Sequence, residues 1–204
     1  MHLDGSGSAA YRAEITRRRE ELRNLLVAAI GSATGFTWEL GCGHGHFLTA
    51  YAQKHPEKLC VGIDIVGERV ERATRKRDRA RLENLFFLRA EARLFLDVLP
   101  WVVSFSELFI LFPDPWPKLR HHKHRILQPE FLTLAASRAS EAAQLCFRTD
   151  SGPYYDYAEQ AIRAHPRWKI SEEAWPFEFT TVFQSRAETY RSLIARPVFQ
   201  SPAS

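Results

Sequence analysis

Between residues 11 and 30 the apolar side chains Ile15, Leu22, Leu25, Leu26, Ala29 and Ile30 recur at helical spacing, and Gly31 follows. The pattern predicts a first helix that stops there. Phe36 to Leu40 reads as a short strand, and glycines 41, 43 and 45 form a loop that opens a second helix, ended by Pro56 after His55. A strand over Leu59–Ile65 carries Asp64 at its far end, a helix covers Gly67–Leu82, and strands cover Leu85–Arg89 and Leu108–Phe112. Then come a helix over 129–142, a strand over 144–149, a helix over 154–165 and two closing strands, 168–170 and 177–183. Strands alternating with helices predict an α/β fold: a doubly wound, mostly parallel sheet with helices on both faces.

At 204 residues the chain suits one domain, with residues 1–35 as an N-terminal helical segment and 36–204 as the main body. Composition is globular, 45% hydrophobic and 25% charged, and the longest apolar run is far too short to cross a bilayer. The first residues lack a basic stretch followed by an apolar one, so no signal peptide is expected and the location is cytoplasmic. Cys42, Cys60 and Cys146 are odd in number and lie in or beside apolar strands, which predicts reduced, structural thiols. The net charge of +4 is modest, but basic residues concentrate in Arg17–Arg19, in Arg69–Arg81 and in 118–125. Glutamates and an aspartate interrupt the first two blocks, so each alone reads as a solvated helix face; together they point to a polyanion.

Candidate chemistry gathers at strand ends. Glu39, Asp64, Glu91, Asp114 and Asp150 all fall at or just beyond predicted strands, where ligands of such sheets bind. Any one of them could instead be a helix N-cap or turn residue. Glu39-Leu-Gly41-Cys-Gly43-His-Gly45 fails as a dinucleotide fingerprint because His46 stands where a small residue is needed. A carboxylate two residues before Gly41 would repel a pyrophosphate. It suits S-adenosylmethionine, which has no phosphate and carries an ammonium and a sulfonium. Gly41 and Gly43 let the backbone approach that cofactor, Asp64 is placed for its ribose hydroxyls, and Glu91 for the adenine amine. Acids after three successive strands thus predict an adenosylmethionine-dependent methyltransferase.

The run Ile110-Leu-Phe-Pro-Asp-Pro-Trp-Pro-Lys118, followed by Arg120-His-His-Lys-His-Arg125, delivers one carboxylate and an indole to a basic rim. With Glu39–Gly45, Gly62-Ile-Asp-Ile65, Arg148-Thr-Asp150 and Thr181-Val-Phe-Gln-Ser-Arg186, it resembles the tRNA (guanine-N7)-methyltransferase family from about Trp38 to Arg186. The resemblance implies a Rossmann-like methyltransferase fold with a seven-stranded sheet whose last strand is antiparallel. It implies that Glu39, Gly41, Gly43, Gly45, Asp64, Glu91 and Asp114 bind the cofactor or flank its methyl group, with tRNA as partner. Lys118, Asp150, Thr181, Gln184 and Arg186 would contact the guanosine or its surroundings. The family usually has Asp where Glu91 stands and Glu where Gln184 stands; the latter change removes a charge that would accept from guanine N–H groups.

Guanine N7 has a lone pair and no proton, so Asp114 is catalytic only as an anchor for the purine's N–H edge and a counter-charge. Lys118, Arg120, Lys123 and Arg125 are expected at phosphates. No metal is expected, because the spacing of His121, His122 and His124 fits neither a helical pair nor a zinc knuckle. Trp116 either stacks on a base or plugs the sheet end, and the N-terminal helix is either an RNA-binding arm or a cap on the sheet. Three other readings stand beside this one: a methyltransferase for exocyclic base amines, a non-catalytic RNA-binding module on the same fold, and a hydride-transferring oxidoreductase. The failed fingerprint disfavours the last.

Overall fold

The structure is a computed structural model that describes residues 5–180 and 184–199, with side chains from Arg12 onward except that of Arg186. Its elements are α1 (Gly5–Ile30), β1 (Gly35–Leu40), α2 (His46–Lys54), β2 (Cys60–Asp64), α3 (Gly67–Arg79) and β3 (Leu85–Arg89). They continue as α4 (Ala92–Val98), β4 (Ser104–Leu111), α5 (Pro129–Ala136), β5 (Ala139–Thr149), α6 (Gly152–Ala164), β6 (Trp168–Ser171) and β7 (Arg191–Pro197). Two 3-10 turns, Leu119–His124 and Gln184–Arg186, complete them.

The seven strands form one sheet in the order β3-β2-β1-β4-β5-β7-β6, with β7 antiparallel to both neighbours. Strand order reverses between β1 and β4, which opens a crevice at their carboxyl ends. On one face α1 contributes Leu22 and Leu26 to a core with Trp38, Phe95, Phe105, Phe131 and Phe147. On the other face α2 and α3 cover Phe109 and Cys146. Cys42, Cys60 and Cys146 are all free and buried. Among the described residues no helix is long and apolar enough to cross a membrane.

Two expectations are corrected. Residues 139–142 belong to β5 and not to a helix: α5 ends at Ala136, and Ala139 pairs with Phe105 of β4. The alanines there have helical propensity, but strand pairing overrides it. The strand expected over 177–183 is absent at 177–180, and 181–183 lie outside the described residues. There Phe177 sits edge-on to Phe47 and Tyr51 at 5.6 and 5.2 Å between centroids, so the aromatics plug the α2 face and do not extend the sheet. The antiparallel strand is β7, further along. Helix α4, short and capped by Glu91, was not foreseen.

Candidate active site

At the end of β1 the chain turns through Gly41, Gly43 and Gly45, all at positive φ. The amides of Gly41 and Cys42 both donate to the Ile63 carbonyl at 2.9 Å, which ties the turn to β2. Gly45 is required sterically as well, since a Cβ there would lie 2.5 Å from the Phe87 ring and 2.8 Å from Ala73. Gly43 instead faces open space, leaving main chain accessible to a ligand. Asp64 accepts from Gly43 N at 3.0 Å and Val66 N at 2.8 Å, and Arg69 lies 3.7 Å away. Lys76 of α3 donates to the His44 carbonyl at 3.0 Å, closing the loop from the outside.

Glu39 is the exception in this well-bonded corner. It is 4% exposed, and its Oε2 has no hydrogen-bond partner among the described residues. Burial pushes its carboxyl up to about 8; the Leu48 amide opposes that, the Asp64 charge adds to it, and Lys76 opposes it. A buried acceptor left unpaired costs roughly 1–3 kcal/mol. A cationic ligand beside it would remove that cost, so the residues present fit the ammonium of adenosylmethionine. Glu91 is differently engaged: exposed, it accepts from Leu94 N at 3.1 Å as the N-cap of α4.

Across the crevice, β4 leads into the Pro-Asp-Pro turn. Phe112 N donates to the Arg148 carbonyl at 2.7 Å. Phe112 and Trp116 have φ of 48° and 46°, a conformation that costs bulky residues of order 1–3 kcal/mol each. The turn therefore stays in this shape only because its surroundings hold it. Asp114, exposed between these residues, takes no hydrogen bond among the described residues. Trp116 is half-buried, with His121 perpendicular to it at 5.7 Å and His124 at 5.0 Å.

The basic blocks are paired to different degrees, and Arg75 and Arg79 of α3 are exposed and meet no carboxylate among the described residues. On α1, Arg17 pairs with Glu14 and Glu21, Arg18 with Glu14, and Arg19 with Asp97. On α3, Arg72 pairs with Glu68 and Arg77 with Asp78. Lys118, Arg120 and Lys123 are exposed and meet no carboxylate among the described residues. Arg125 departs from the expected phosphate contact: it is 3% exposed and bonded to the Pro115 and Pro153 carbonyls. Among the described residues no His, Cys, Asp or Glu cluster is arranged to hold a metal ion.

Asp150 is exposed just past β5. Gln184 accepts from Arg148 at 3.4 Å and donates to the Tyr190 hydroxyl at 3.0 Å. Thr181 and the Arg186 side chain lie outside the described residues. The residue that sequence reasoning left without a role is Arg148, 4% exposed, which also meets Glu178 at 2.8 Å, Ser192 at 2.8 Å, and the faces of Trp175 and Tyr190. An arginine at the end of the apolar run Leu145-Cys-Phe147 was the available signal.

Residues 34–191 match the family described as "Putative methyltransferase". A tRNA (guanine-N(7)-)-methyltransferase from Azorhizobium caulinodans is 32% identical over 76% of this chain and 72% of its own length. The chain belongs to the tRNA (guanine-N7)-methyltransferase family. A second member, from Caulobacter vibrioides, is 33% identical over 67% of this chain and 60% of its own length. The chain thus spans about 60% of the length of the first relatives it matches. Among solved structures, the 16S rRNA (adenine(1408)-N(1))-methyltransferase from Catenulisporales acidiphilia superposes with a TM-score of 0.60 at 19% identity, over 89% of this chain and 94% of that one. The aminoglycoside resistance methyltransferase NpmB1 gives 0.60 at 19% identity, over 86% and 93%. The likeness is one of fold, Rossmann-like, and in this chain the antiparallel strand β7 is inserted next to the edge strand β6.

Proposed function

We propose that this chain transfers a methyl group from S-adenosylmethionine to N7 of a guanosine in tRNA. The observation that carries the reading is the pairing of two unlike carboxylates at the ends of adjacent strands. Glu39 is buried with one carboxyl oxygen unpartnered among the described residues; Asp114 is exposed in a strained turn across the strand-order reversal. Family membership supports the same assignment.

Glu39 would hold the cofactor's ammonium and Asp64 its ribose hydroxyls, with the open backbone of Gly41 and Gly43 beside it. Glu91 has one oxygen engaged in the α4 cap and the other available to the adenine amine. When bound, adenosylmethionine supplies an electrophilic methyl carbon on a cationic sulfur. The in-plane lone pair of N7 makes it the acceptor, and gaining the methyl would leave positive charge on the purine. No residue has to remove a proton from N7. Asp114 accepts from N1–H and the N2 amine and counters the arriving charge, while alignment supplies most of the acceleration, up to roughly 7–11 kcal/mol. Asp150, Thr181, Gln184 and Arg186 complete the guanosine site. Lys118, Arg120 and Lys123 hold phosphates, which position the RNA without reading sequence.

The test is transfer from labelled adenosylmethionine to unmodified tRNA by the purified chain, with digestion of the product. Label in N7-methylguanosine is the expected result. Label on adenine or cytosine alone overturns the reading. Asp114→Ala is expected to lose turnover, by about a hundredfold or more on the scale of a lost electrostatic anchor, while its circular dichroism and urea unfolding midpoint report that it is folded.

A further inference from the structure

We propose that Arg125 is a positioning residue for the methyl-accepting site, which holds the Pro-Asp-Pro turn through the Pro115 carbonyl and contacts no phosphate. The inference rests on the function proposed above. Arg125 closes the basic stretch of 118–125, and its sequence context matches that of its neighbours Lys118, Arg120 and Lys123. Its place in the fold does not. The side chain turns inward, is 3% exposed, and donates from Nε to Pro115 O at 3.0 Å and from Nη1 to Pro153 O at 3.4 Å. Its guanidinium carbon lies 4.9 Å from the Tyr154 ring centroid and 5.0 Å from that of Tyr157. Tyr154 in turn accepts from Ile126 N at 3.0 Å, so the residue after Arg125 is fastened to the same helix.

This geometry needs a guanidinium. The planar, donor-only fork reaches two carbonyls in different directions while its faces meet aromatic rings; an ammonium supplies neither the fork nor the plane. Pro115 directly follows Asp114, and the residues at either side of the Pro-Asp-Pro unit, Phe112 and Trp116, are in the left-handed conformation. A turn in that state does not keep its shape unaided. Its first end is fixed by main chain, Phe112 N to the Arg148 carbonyl at 2.7 Å. Its second end is fixed by the Arg125 side chain, which makes α6 the platform on which the Asp114 carboxylate is aimed. Loss of that bond leaves Asp114 present and misplaced, and a displacement of about 1 Å can cost on the order of a hundredfold in rate.

The test uses the full chain with tRNA and compares Arg125→Lys and Arg125→Ala with Lys123→Ala. For Arg125→Ala we expect kcat to fall about a hundredfold and for Arg125→Lys at least about tenfold. The tRNA KM and the cofactor Kd should stay within about threefold, since neither ligand touches this side chain. The slope of log affinity against log salt should stay unchanged in both Arg125 variants. It should drop by about 0.7–0.9 in Lys123→Ala, the change produced when one phosphate is no longer neutralised. Free guanidinium at low millimolar concentration should restore part of the kcat of Arg125→Ala. A reduced salt slope in Arg125→Ala, or an intact kcat in Arg125→Lys, makes Arg125 a charge that binds phosphate and overturns the proposal. Equal losses of cofactor affinity and kcat make it a general structural residue and overturn it too. Should Arg125→Ala fail to fold, the Lys variant decides. Failure of the unaltered chain to form N7-methylguanosine overturns the functional reading itself, a result distinct from any of these.

Discussion

Glu39 and Glu107 stand on adjacent strands of one sheet, two register positions apart, and have opposite fates. Thr37 pairs with Glu107 and Glu39 with Phe109. Glu107 accepts from Thr37 Oγ1 at 2.6 Å, Ser106 Oγ at 2.7 Å, Lys58 Nζ at 2.5 Å and Tyr51 OH at 3.3 Å. Burial pushes its carboxyl up, but the bonds from Lys58, Thr37 and Ser106 together outweigh burial and leave it below the ordinary glutamate range. Glu39, nearer the carboxyl ends of the strands, has burial with only the Leu48 amide to offset it, Lys76 acting from a distance, and is pushed up to about 8. Identical side chains in one core thus separate into a finished joint and an open socket. What distinguishes them is hydrogen-bond completeness, and a buried acid with an oxygen left unpaired among the described residues points to a partner that arrives from outside.

The largest effect that would break this contrast is on cofactor affinity. Glu39→Gln should weaken adenosylmethionine binding by roughly 2–5 kcal/mol, the cost of removing one member of a buried charge pair, measured by titration calorimetry. An unchanged Kd would mean that the socket serves something else. Glu107→Gln should leave the Kd within about twofold and instead cost roughly 1–3 kcal/mol of stability by stranding the donors around it, read from urea unfolding. If Glu107→Gln also weakens the cofactor, the two ends of the strands are not independent.

Acidity gives a subtler division. The folded Glu39 carboxyl titrates above its unfolded value, so between about pH 4.5 and 8 the native state keeps a proton that the unfolded chain has lost. The ligand-free protein should therefore lose stability as pH rises through that window, by at most about 1.4 kcal/mol per pH unit. Glu39→Gln should flatten that limb. Glu107 has the opposite sign: its contribution is present above the unfolded value and is lost as pH falls through its lowered folded one, so Glu107→Gln should flatten the acid limb instead. Denaturation midpoints across the acid and alkaline limbs measure both. The smallest signal is a proton count. At neutral pH the free Glu39 is mostly protonated, so cofactor binding should release close to one proton, seen by calorimetry in buffers of different ionisation enthalpy, and Glu39→Gln should release none. A full proton released by that variant would place the titration at another group.

Much of the fold was legible because its signals were local. Gly41 to Gly45, Asp64 at a strand end and the alternation of strands and helices required no knowledge of distant contacts. The same holds for Asp114 in its turn. Elements governed by long-range packing were not legible: Ala139–Ala142 became strand by pairing with β4, and Phe177 alternates with Phe179 as strand residues do but packs on α2. Charge was the least legible. The arginines of α1 and of 118–125 are equally basic on paper, yet the former meet Glu14, Glu21 and Asp97 whereas Lys118 and Lys123 meet none among the described residues, and Arg125 turns inward. Whether a cation is free depends on which carboxylates the fold brings near it. Local spacing predicts only the i, i+4 cases.

The three thiols offer a different use of the sheet. Cys42 sits in the glycine turn, Cys60 on β2 and Cys146 on β5, and burial pushes Cys60 up to about 12 and the other two upward as well. Almost no thiolate exists at neutral pH while the sheet is closed, so an alkylating reagent can react only after local or global opening. The chain thereby carries three native clocks at known depths. Mass spectrometry of their labelling times would show whether a bound ligand slows Cys42 alone or stiffens the sheet as far as Cys146.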